Sequence, residues 1–242
     1  MKDFSLMTKK DFGKFFDYSV LPKQTTEDDI IKGCKEAIKY NCAAFYPNSN
    51  YWLPLTKDLL KGSGVLAATT FDFPTGNATA YMKGKMAEEA VERGAEAMDM
   101  VMNIGALRSG RYDDVKEELR TVKSIAGDDI ITKCILEVEF LIDDEIRRAA
   151  SYVADAGFDY VKTASGQYAG MTMDQFLVMK KAVEGTKTKT KVAGVKFPRP
   201  QNAYAFIMAG ADLIGTRAAP EILDHLDMMR EIGLVPKYKG NK

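Results

Sequence analysis

The sequence predicts an α/β protein, a closed (β/α)₈ barrel of the TIM-barrel class formed as a single domain over residues 1–242. Short apolar, β-prone segments alternate with longer amphipathic segments along the chain, and eight such apolar segments occur. This alternation indicates a parallel sheet with right-handed crossovers, and eight units are the number that closes a barrel. The rival fold, an open doubly wound sheet, is disfavoured because neither a G-x-G-x-x-G nor a Walker A motif is present.

The strands are predicted from short runs of apolar and β-branched residues that end in turn-forming residues. In chain order they lie near Asp17–Leu21, Cys42–Tyr46, Val65–Phe71, Met98–Asn103, Ile130–Leu136, Asp159–Thr163, Lys191–Lys196 and Asp212–Thr216.

Amphipathic runs between the strands predict the helices. Acidic residues near Thr25 and Asp143 mark helix starts, and Gly94, Gly157 and Gly210 mark helix ends before a new strand. The predicted helices cover Glu27–Tyr40, Ala80–Gly94, Tyr112–Ala126, Asp144–Gly157, Thr172–Glu184 and Gln201–Gly210.

Composition excludes several classes of partner. The 34 basic and 34 acidic residues are interspersed and give no net charge, so we expect no nucleic-acid partner. No run approaches the roughly 18 apolar residues of a membrane span, and the N-terminus lacks a signal-peptide core, so we expect no membrane partner. Three widely spaced cysteines favour a reducing compartment and a cytoplasmic location. We also expect a homo-oligomer of an order that the sequence does not reveal.

Histidine is scarce. His225 is the only one, so neither a Ser-His-Asp nor a Cys-His arrangement is available, and no histidine-based zinc site can form within one chain. We therefore expect no metal and no other cofactor, although a magnesium site made only of carboxylates stays open. If the protein performs carbonyl chemistry, an amine is the group expected to carry it.

Two lysines and one aspartate are the candidate catalytic residues. Lys162 and Lys196 each follow a short apolar stretch and precede turn-forming residues, and Asp99 interrupts an apolar run. Charged residues at the carboxyl ends of barrel strands indicate an active site. Burial and a neighbouring cation both lower the pKa of a lysine, and a neutral amine can form a Schiff base with a carbonyl. The alternative is that both lysines only extend their amines to solvent at strand ends.

Several segments together carry a resemblance to a known family. They are Tyr46-Pro47, Phe73-Pro-Thr-Gly-Asn77, Asp99-Met-Val-Met-Asn-Ile-Gly-Ala-Leu107, Val161-Lys-Thr-Ala-Ser-Gly166 and Gly194-Val-Lys196. In these segments the chain resembles the deoxyribose-phosphate aldolases, which are class I aldolases with a (β/α)₈ barrel. The resemblance extends from about Asp17 to about Thr216.

The resemblance implies reversible cleavage of 2-deoxy-D-ribose 5-phosphate to acetaldehyde and glyceraldehyde 3-phosphate. It assigns the Schiff base to Lys162, the lowering of its pKa to Lys196, and proton transfer to Asp99 with Lys196. It places Ser165 near the substrate. Other candidate substrate-binding residues are Gly166, Arg199, Gly215 and Arg217. Lys133 and Glu137 match the family's Lys-x-x-x-Glu and are given at most a supporting role.

One segment departs from the family pattern. Where relatives have a glycine-rich phosphate loop, this chain has Phe197-Pro-Arg-Pro-Gln-Asn202, and proline removes backbone N–H donors. Arg199 or Arg217 could restore anion binding through guanidinium groups. The alternative functions are therefore a related class I aldolase for another sugar or a non-phosphorylated substrate, a non-catalytic barrel that binds a ligand, and a metal-dependent aldolase or isomerase.

Overall fold

The computed structural model describes residues 2–240 and contains a closed barrel in which every strand pairs in parallel with its neighbours in chain order. The predicted (β/α)₈ barrel is thereby confirmed. The strands are β1 (Phe16–Ser19), β2 (Ala44–Tyr46), β3 (Leu66–Phe71), β4 (Ala97–Val101), β5 (Ile131–Ile135), β6 (Tyr160–Lys162), β7 (Lys189–Ala193) and β8 (Leu213–Thr216). Strand β1 closes the barrel by pairing with both β2 and β8.

Helices pack around the outside of the sheet. They are α1 (Lys9–Gly13), α2 (Glu27–Lys39), α3 (Leu53–Leu60), α4 (Ala80–Glu92), α5 (Ile104–Arg108), α6 (Tyr112–Ala126), α7 (Asp143–Asp155), α8 (Met173–Ala182), α9 (Arg199–Met208), α10 (Ala219–Asp224) and α11 (Leu226–Glu231). All six predicted helices occur, with bounds that shift by two residues or fewer.

The helix ends follow the local chemistry that the sequence indicates. Thr26 and Asp29 form a reciprocal capping box at the start of α2, in which each side chain accepts a hydrogen bond from the other's backbone N–H. Helix α3 was not predicted. It has only eight residues and carries Pro54 in its first turn, a position where proline costs no helical hydrogen bond.

Two separate cores fill the molecule. The larger one lies between the sheet and the helices and contains most of the buried apolar residues. The smaller one consists of Ala44, Tyr46, Ala68 and Ala97, one cluster formed by β2, β3 and β4. Alanine leaves space that longer side chains from neighbouring strands can occupy.

The first and last segments of residues 2–240 lie together. The backbone N–H of Lys239 donates to the carbonyl oxygen of Ser5 at 2.7 Å, and the guanidinium of Arg230 lies 5.1 Å from the ring centre of Tyr238. The C-terminal segment therefore packs against the residues that precede β1. Within residues 2–240, no helix combines the length and apolar character needed to cross a membrane.

Candidate active site

A pocket of about 680 Å³, including its open mouth, lies where the strands meet the loops that follow them. Most of the predicted site residues line it: Lys162, Ser165, Gly166, Arg199, Gly215 and Arg217. Asp99 is fully buried and contacts Lys162 directly, with 2.8 Å between Lys162 Nζ and Asp99 Oδ2. The structure thus brings together every predicted site residue except Lys196.

Lys196 does not occupy the predicted position. Strand β7 ends at Ala193, and the side chain of Lys196 is exposed in the following loop. No ion pair formed within residues 2–240 includes its amine. The prediction that Lys196 lies on the seventh strand is therefore wrong. Gly194, with φ of 79°, turns the chain after the strand, so a lysine two residues later no longer faces the barrel interior.

Lys191 occupies the interior position instead. It pairs with Lys162 in the register between β6 and β7 and is 1% exposed. Its Nζ lies 2.7 Å from Asp99 Oδ2 and 2.7 Å from Asp17 Oδ2, so it bridges carboxylates from two distant strands. Because alternate residues of a strand face the same side, Lys191 and Ala193 both reach the pocket.

Three further side chains join Lys162, Asp99 and Lys191. Lys133 Nζ lies 2.5 Å from Asp17 Oδ2 and donates to the hydroxyl of Tyr46 at 2.8 Å. The Tyr46 hydroxyl in turn donates to Asp99 Oδ1 at 2.7 Å. We call this group the floor of the pocket; it consists of Asp17, Tyr46, Asp99, Lys133, Lys162 and Lys191.

Sequence reasoning missed part of the floor. The sequence predicts Asp17 and Lys191 only as the first residues of strands and Tyr46 only as part of a motif. A usable signal was present in the alternation of threonine and lysine from Thr186 to Lys191, because a period of two is typical of a strand and indicates that β7 begins before Lys191. The pairing of Lys191 with aspartates on other strands depends on barrel closure.

The floor holds more positive than negative charge. Its three lysines face two aspartates, and burial opposes the ionisation of all five groups. Burial opposes ionisation of Asp99 most strongly, but the ammonium groups of Lys162 and Lys191 outweigh it and hold the pKa of Asp99 below its usual range. With only two carboxylates available, one lysine is expected to release its proton most readily.

Lys162 is the lysine that combines low basicity with access to the pocket. Burial lowers the pKa of Lys162 to about 8, Asp99 opposes this shift, and the cation of Lys191 adds to it. The pKa of Lys191 is instead raised, because its two carboxylate partners outweigh burial. The pKa of Lys133 is lowered chiefly by burial, but Lys133 does not line the pocket. Lys162 is therefore the amine best placed to act as a nucleophile.

The rim of the pocket has a different character. Arg199 and Arg217 line it, and none of the ion pairs among residues 2–240 includes either guanidinium. The Arg199 guanidinium lies 4.1 Å from the ring centre of Phe197. Pro198 and Pro200 carry no N–H, so this segment has few backbone donors to offer an anion. At this rim, Arg199 and Arg217 are the side chains that offer guanidinium donors to an anion.

A comparison with known proteins agrees with this geometry. The family model for DeoC/LacD family aldolases matches residues 13–219. The chain belongs to this aldolase family. It is 40% identical over 220 residues to a deoxyribose-phosphate aldolase from Caldicellulosiruptor saccharolyticus, an alignment that covers 90% of this chain and 99% of that protein.

Other DeoC/LacD relatives show the same extent of similarity. A deoxyribose-phosphate aldolase from Staphylococcus carnosus is 34% identical over 217 residues, which cover 90% of this chain and 97% of that protein. The deoxyribose phosphate aldolase structure from Aeropyrum pernix, a tetramer, superposes with a TM-score of 0.82 at 24% identity, covering 93% of this chain and 94% of that chain. That structure supports the fold alone, while the family match makes the chain an aldolase and hence a lyase.

A metal centre is not evident in the described part of this aldolase. Within residues 2–240, no group of three or more histidine, cysteine, aspartate or glutamate side chains is arranged to hold a metal ion. The single histidine, His225, donates a hydrogen bond from Nδ1 to the carbonyl oxygen of Glu221, one turn earlier, at 2.7 Å. It lies between α10 and α11 and does not line the pocket.

Proposed function

We propose that this DeoC/LacD aldolase cleaves 2-deoxy-D-ribose 5-phosphate reversibly to acetaldehyde and glyceraldehyde 3-phosphate through a Schiff base on Lys162. The observation that carries the proposal is the Lys162 amine, which reaches the pocket and has a pKa lowered to about 8. The names of the relatives from Caldicellulosiruptor saccharolyticus and Staphylococcus carnosus support the choice of substrate.

The cleavage depends on an iminium ion at Lys162, which accepts the electron pair of the bond that breaks. The neutral amine attacks the C1 aldehyde to give a carbinolamine, which loses water to form an iminium ion. Removal of the C3 hydroxyl proton then breaks the C2–C3 bond, releases glyceraldehyde 3-phosphate, and leaves an enamine on the lysine. Protonation of the enamine at C2 and hydrolysis release acetaldehyde and restore the amine.

Asp99 and Lys191 are the groups placed to move protons at these stages. Asp99 Oδ2 lies 2.8 Å from the reacting amine of Lys162 and 2.7 Å from Lys191 Nζ. Asp99 therefore connects Lys191 to the reacting amine. Lys191 takes the role that the sequence prediction gave to Lys196, because its cation lowers the pKa of Lys162. Asp17 Oδ1 has no hydrogen-bond partner within residues 2–240 and can accept a bond from a substrate hydroxyl.

The phosphate end of the substrate is expected to lie at the rim of the pocket. Ser165, Gly166 and Gly215 form pocket wall, and the guanidinium groups of Arg199 and Arg217 are available for the phosphate. An alternative aldolase substrate with a different anion, or with none, is the second candidate. The proline-rich segment that carries Arg199 favours it, because that segment lacks the backbone donors of a phosphate loop.

Trapping with borohydride tests the proposal directly. We expect acetaldehyde followed by borohydride to add a stable ethyl group to the wild-type protein, and peptide mass spectrometry to place it on Lys162. Lys162→Met is the matched control and should take up no adduct at this position. A wild-type protein that gives no Lys162 adduct with any small aldehyde or ketone would reject the Schiff-base mechanism and favour a non-catalytic barrel. Addition of a metal chelator should leave the yield of the Lys162 adduct unchanged.

A substrate comparison separates the two candidates. Deoxyribose and deoxyribose 5-phosphate are assayed side by side under the same conditions. We expect the phosphate to raise kcat/KM by about tenfold or more, the range of a charge-assisted hydrogen bond. Equal kcat/KM values would show that the rim does not select a phosphate and would support the second candidate.

We propose further that the protein is a cytoplasmic homo-oligomer. Cys34, Cys42 and Cys134 are free, buried thiols, as expected in a reducing compartment. Exposed aromatic side chains such as Tyr51 and Tyr81 are available for subunit contacts. Light scattering coupled to size-exclusion chromatography would measure the mass, and a value of 26.8 kDa would show a monomer instead.

A further inference from the structure

Two loops on the carboxyl side of the barrel run side by side next to the pocket. The first, residues 136–142, follows β5, and the second, residues 163–172, follows β6. The backbone N–H of Leu136 donates to the carbonyl oxygen of Lys162, and that of Val138 donates to the carbonyl oxygen of Thr163, both at 2.9 Å. The β5 loop therefore continues the sheet contact past the end of β6.

Glu137 connects the two loops at the base of the second one. It is 3% exposed, and its left-handed backbone, with φ of 51°, turns its side chain out of the strand pattern. Its Oε1 accepts a hydrogen bond from the backbone N–H of Ser165 at 2.8 Å. Its Oε2 is buried without a partner within residues 2–240. The bond from the Ser165 N–H is therefore the hydrogen bond that holds this carboxylate within residues 2–240.

Glu139 makes the same kind of contact at the other end of the loop. Its Oε1 accepts from the backbone N–H of Gly170 at 2.8 Å. Beside it, the rings of Phe140 and Tyr168 meet edge to face with 5.2 Å between their centres. Glu137 and Glu139 thus hold the segment from Ser165 to Gly170 at both ends.

The segment that they hold forms pocket wall and has little room to move. Ser165, Gly166 and Gln167 all line the pocket. A Cβ on Gly170 would lie 2.6 Å from the carbonyl oxygen of Gly194, which shows how closely this loop meets the loop after β7. A small displacement at either glutamate would therefore change the wall that faces the substrate.

We propose that Glu137 and Glu139 are positioning residues, which fix the Ser165–Gly170 wall so that it fits the far half of the substrate. This inference rests on the proposed function and deepens it. The aldehyde carbon reacts at Lys162, which is held by the floor, so the two glutamates should affect recognition of the whole sugar rather than Schiff-base formation with a two-carbon aldehyde.

The pocket wall requires a hydrogen-bond acceptor at position 137 and does not require a negative charge there. Burial raises the pKa of Glu137 to about 7, the bonds from Ser165 oppose this, and the nearby Glu139 adds to it. A neutral side chain with the same carbonyl oxygen can still accept from the Ser165 N–H. Glutamine should therefore replace Glu137 with little loss, whereas alanine leaves the Ser165 N–H without its partner.

The experiment uses the variants Glu137→Gln, Glu137→Ala, Glu139→Gln and Glu139→Ala of the full chain. Glu145→Ala is the matched control, because its carboxylate also accepts from a backbone N–H, that of Ile142 at 3.0 Å, but caps α7 away from the pocket wall. Three quantities are measured: KM and kcat for cleavage of deoxyribose 5-phosphate, the rate of the acetaldehyde–borohydride adduct on Lys162, and Tm.

Each alanine variant should raise KM by about tenfold, the scale of one unmade buried hydrogen bond. The adduct rate should stay within about threefold of wild type, and each glutamine variant should restore KM. An unchanged KM, or an adduct rate that falls as far as cleavage does, would overturn the proposal. If Glu137→Ala does not fold, the more exposed Glu139 provides the same comparison. A wild-type protein without any adduct would reject the proposed function and is a distinct result.

Discussion

The floor and the rim of the pocket use charge in opposite ways. On the floor, three lysines and two aspartates are buried and contact one another at 2.5–2.8 Å, and all of them lie on strands. On the rim, Arg199 and Arg217 lie beyond the strands, and no carboxylate within residues 2–240 forms an ion pair with either. The charged groups of the floor pair with one another, whereas the rim offers a ligand cations that are unpaired within residues 2–240.

This difference separates the reaction from the choice of substrate. Strands hold catalytic groups within the small tolerances that bond formation requires. Loops tolerate sequence change, so the part of the site that recognises a substrate can vary while the floor stays the same. With Lys191 as the interior lysine of β7, the loop of this second kind begins at Gly194, and Phe197-Pro-Arg-Pro200 lies farther along, where the loop leads into α9. The following predictions test the division.

The largest effect is expected from Lys162→Met. Methionine keeps the apolar stem but removes the nucleophile, so kcat/KM for cleavage should fall by at least about 10³-fold. The fold should persist, because the two remaining floor lysines still match the charge of two aspartates. Steady-state assays and Tm measure the two effects. Residual activity within tenfold of wild type would place the Schiff base on another amine.

The next largest effect distinguishes the roles of Lys191 and Lys196. Lys191→Met should lower kcat by about 10²-fold, because it removes the cation that lowers the pKa of Lys162 and leaves Asp17 and Asp99 with fewer partners. Lys196→Met, a substitution in an exposed loop, should change kcat less than about threefold. The reverse order would restore the assignment made from the Gly194-Val-Lys196 motif.

The confusion between these two lysines shows which parts of the molecule the sequence can predict. Periodicity predicted all eight strands and the positions of Lys162 and Asp99, because these depend on local alternation of apolar and polar residues. Whether a lysine is buried depends on partners from other strands. Lys191 is stabilised inside the barrel by Asp17, which is 174 residues earlier in the chain and enters the floor only when β1 closes against β8.

The rim and the wall were the least predictable. Arg199 and Arg217 were named because they could restore anion binding; both line the pocket, and their role stays a prediction. The roles of Glu137 and Glu139 depend on two loops that meet in space, and on a left-handed backbone at Glu137 that propensity does not favour for a glutamate. Local sequence carries no signal for such a contact.

A smaller, selective effect is expected from the arginines. Arg199→Ala and Arg217→Ala should each raise KM for deoxyribose 5-phosphate by about tenfold, the scale of a hydrogen bond to a charged group. KM for unphosphorylated deoxyribose should change less than about twofold. Comparison of the two substrates for each variant gives the measurement. If both KM values rise equally, the arginines shape the rim without binding an anion.

The last effect is the pH dependence of kcat/KM, which should depend only on residues of the floor. In the proposed mechanism Lys162 must be neutral to attack, and its pKa is lowered to about 8, so kcat/KM should rise about tenfold per pH unit below pH 8 and level off above it. Removing the neighbouring cation in Lys191→Met should raise that pKa and move the rising limb to higher pH. Arg199→Ala changes a rim residue, so it should lower kcat/KM at every pH and leave the pH of the rising limb unchanged. A limb that shifts in Arg199→Ala but stays fixed in Lys191→Met would mean that the rim, and not the floor, sets the basicity of the reacting amine.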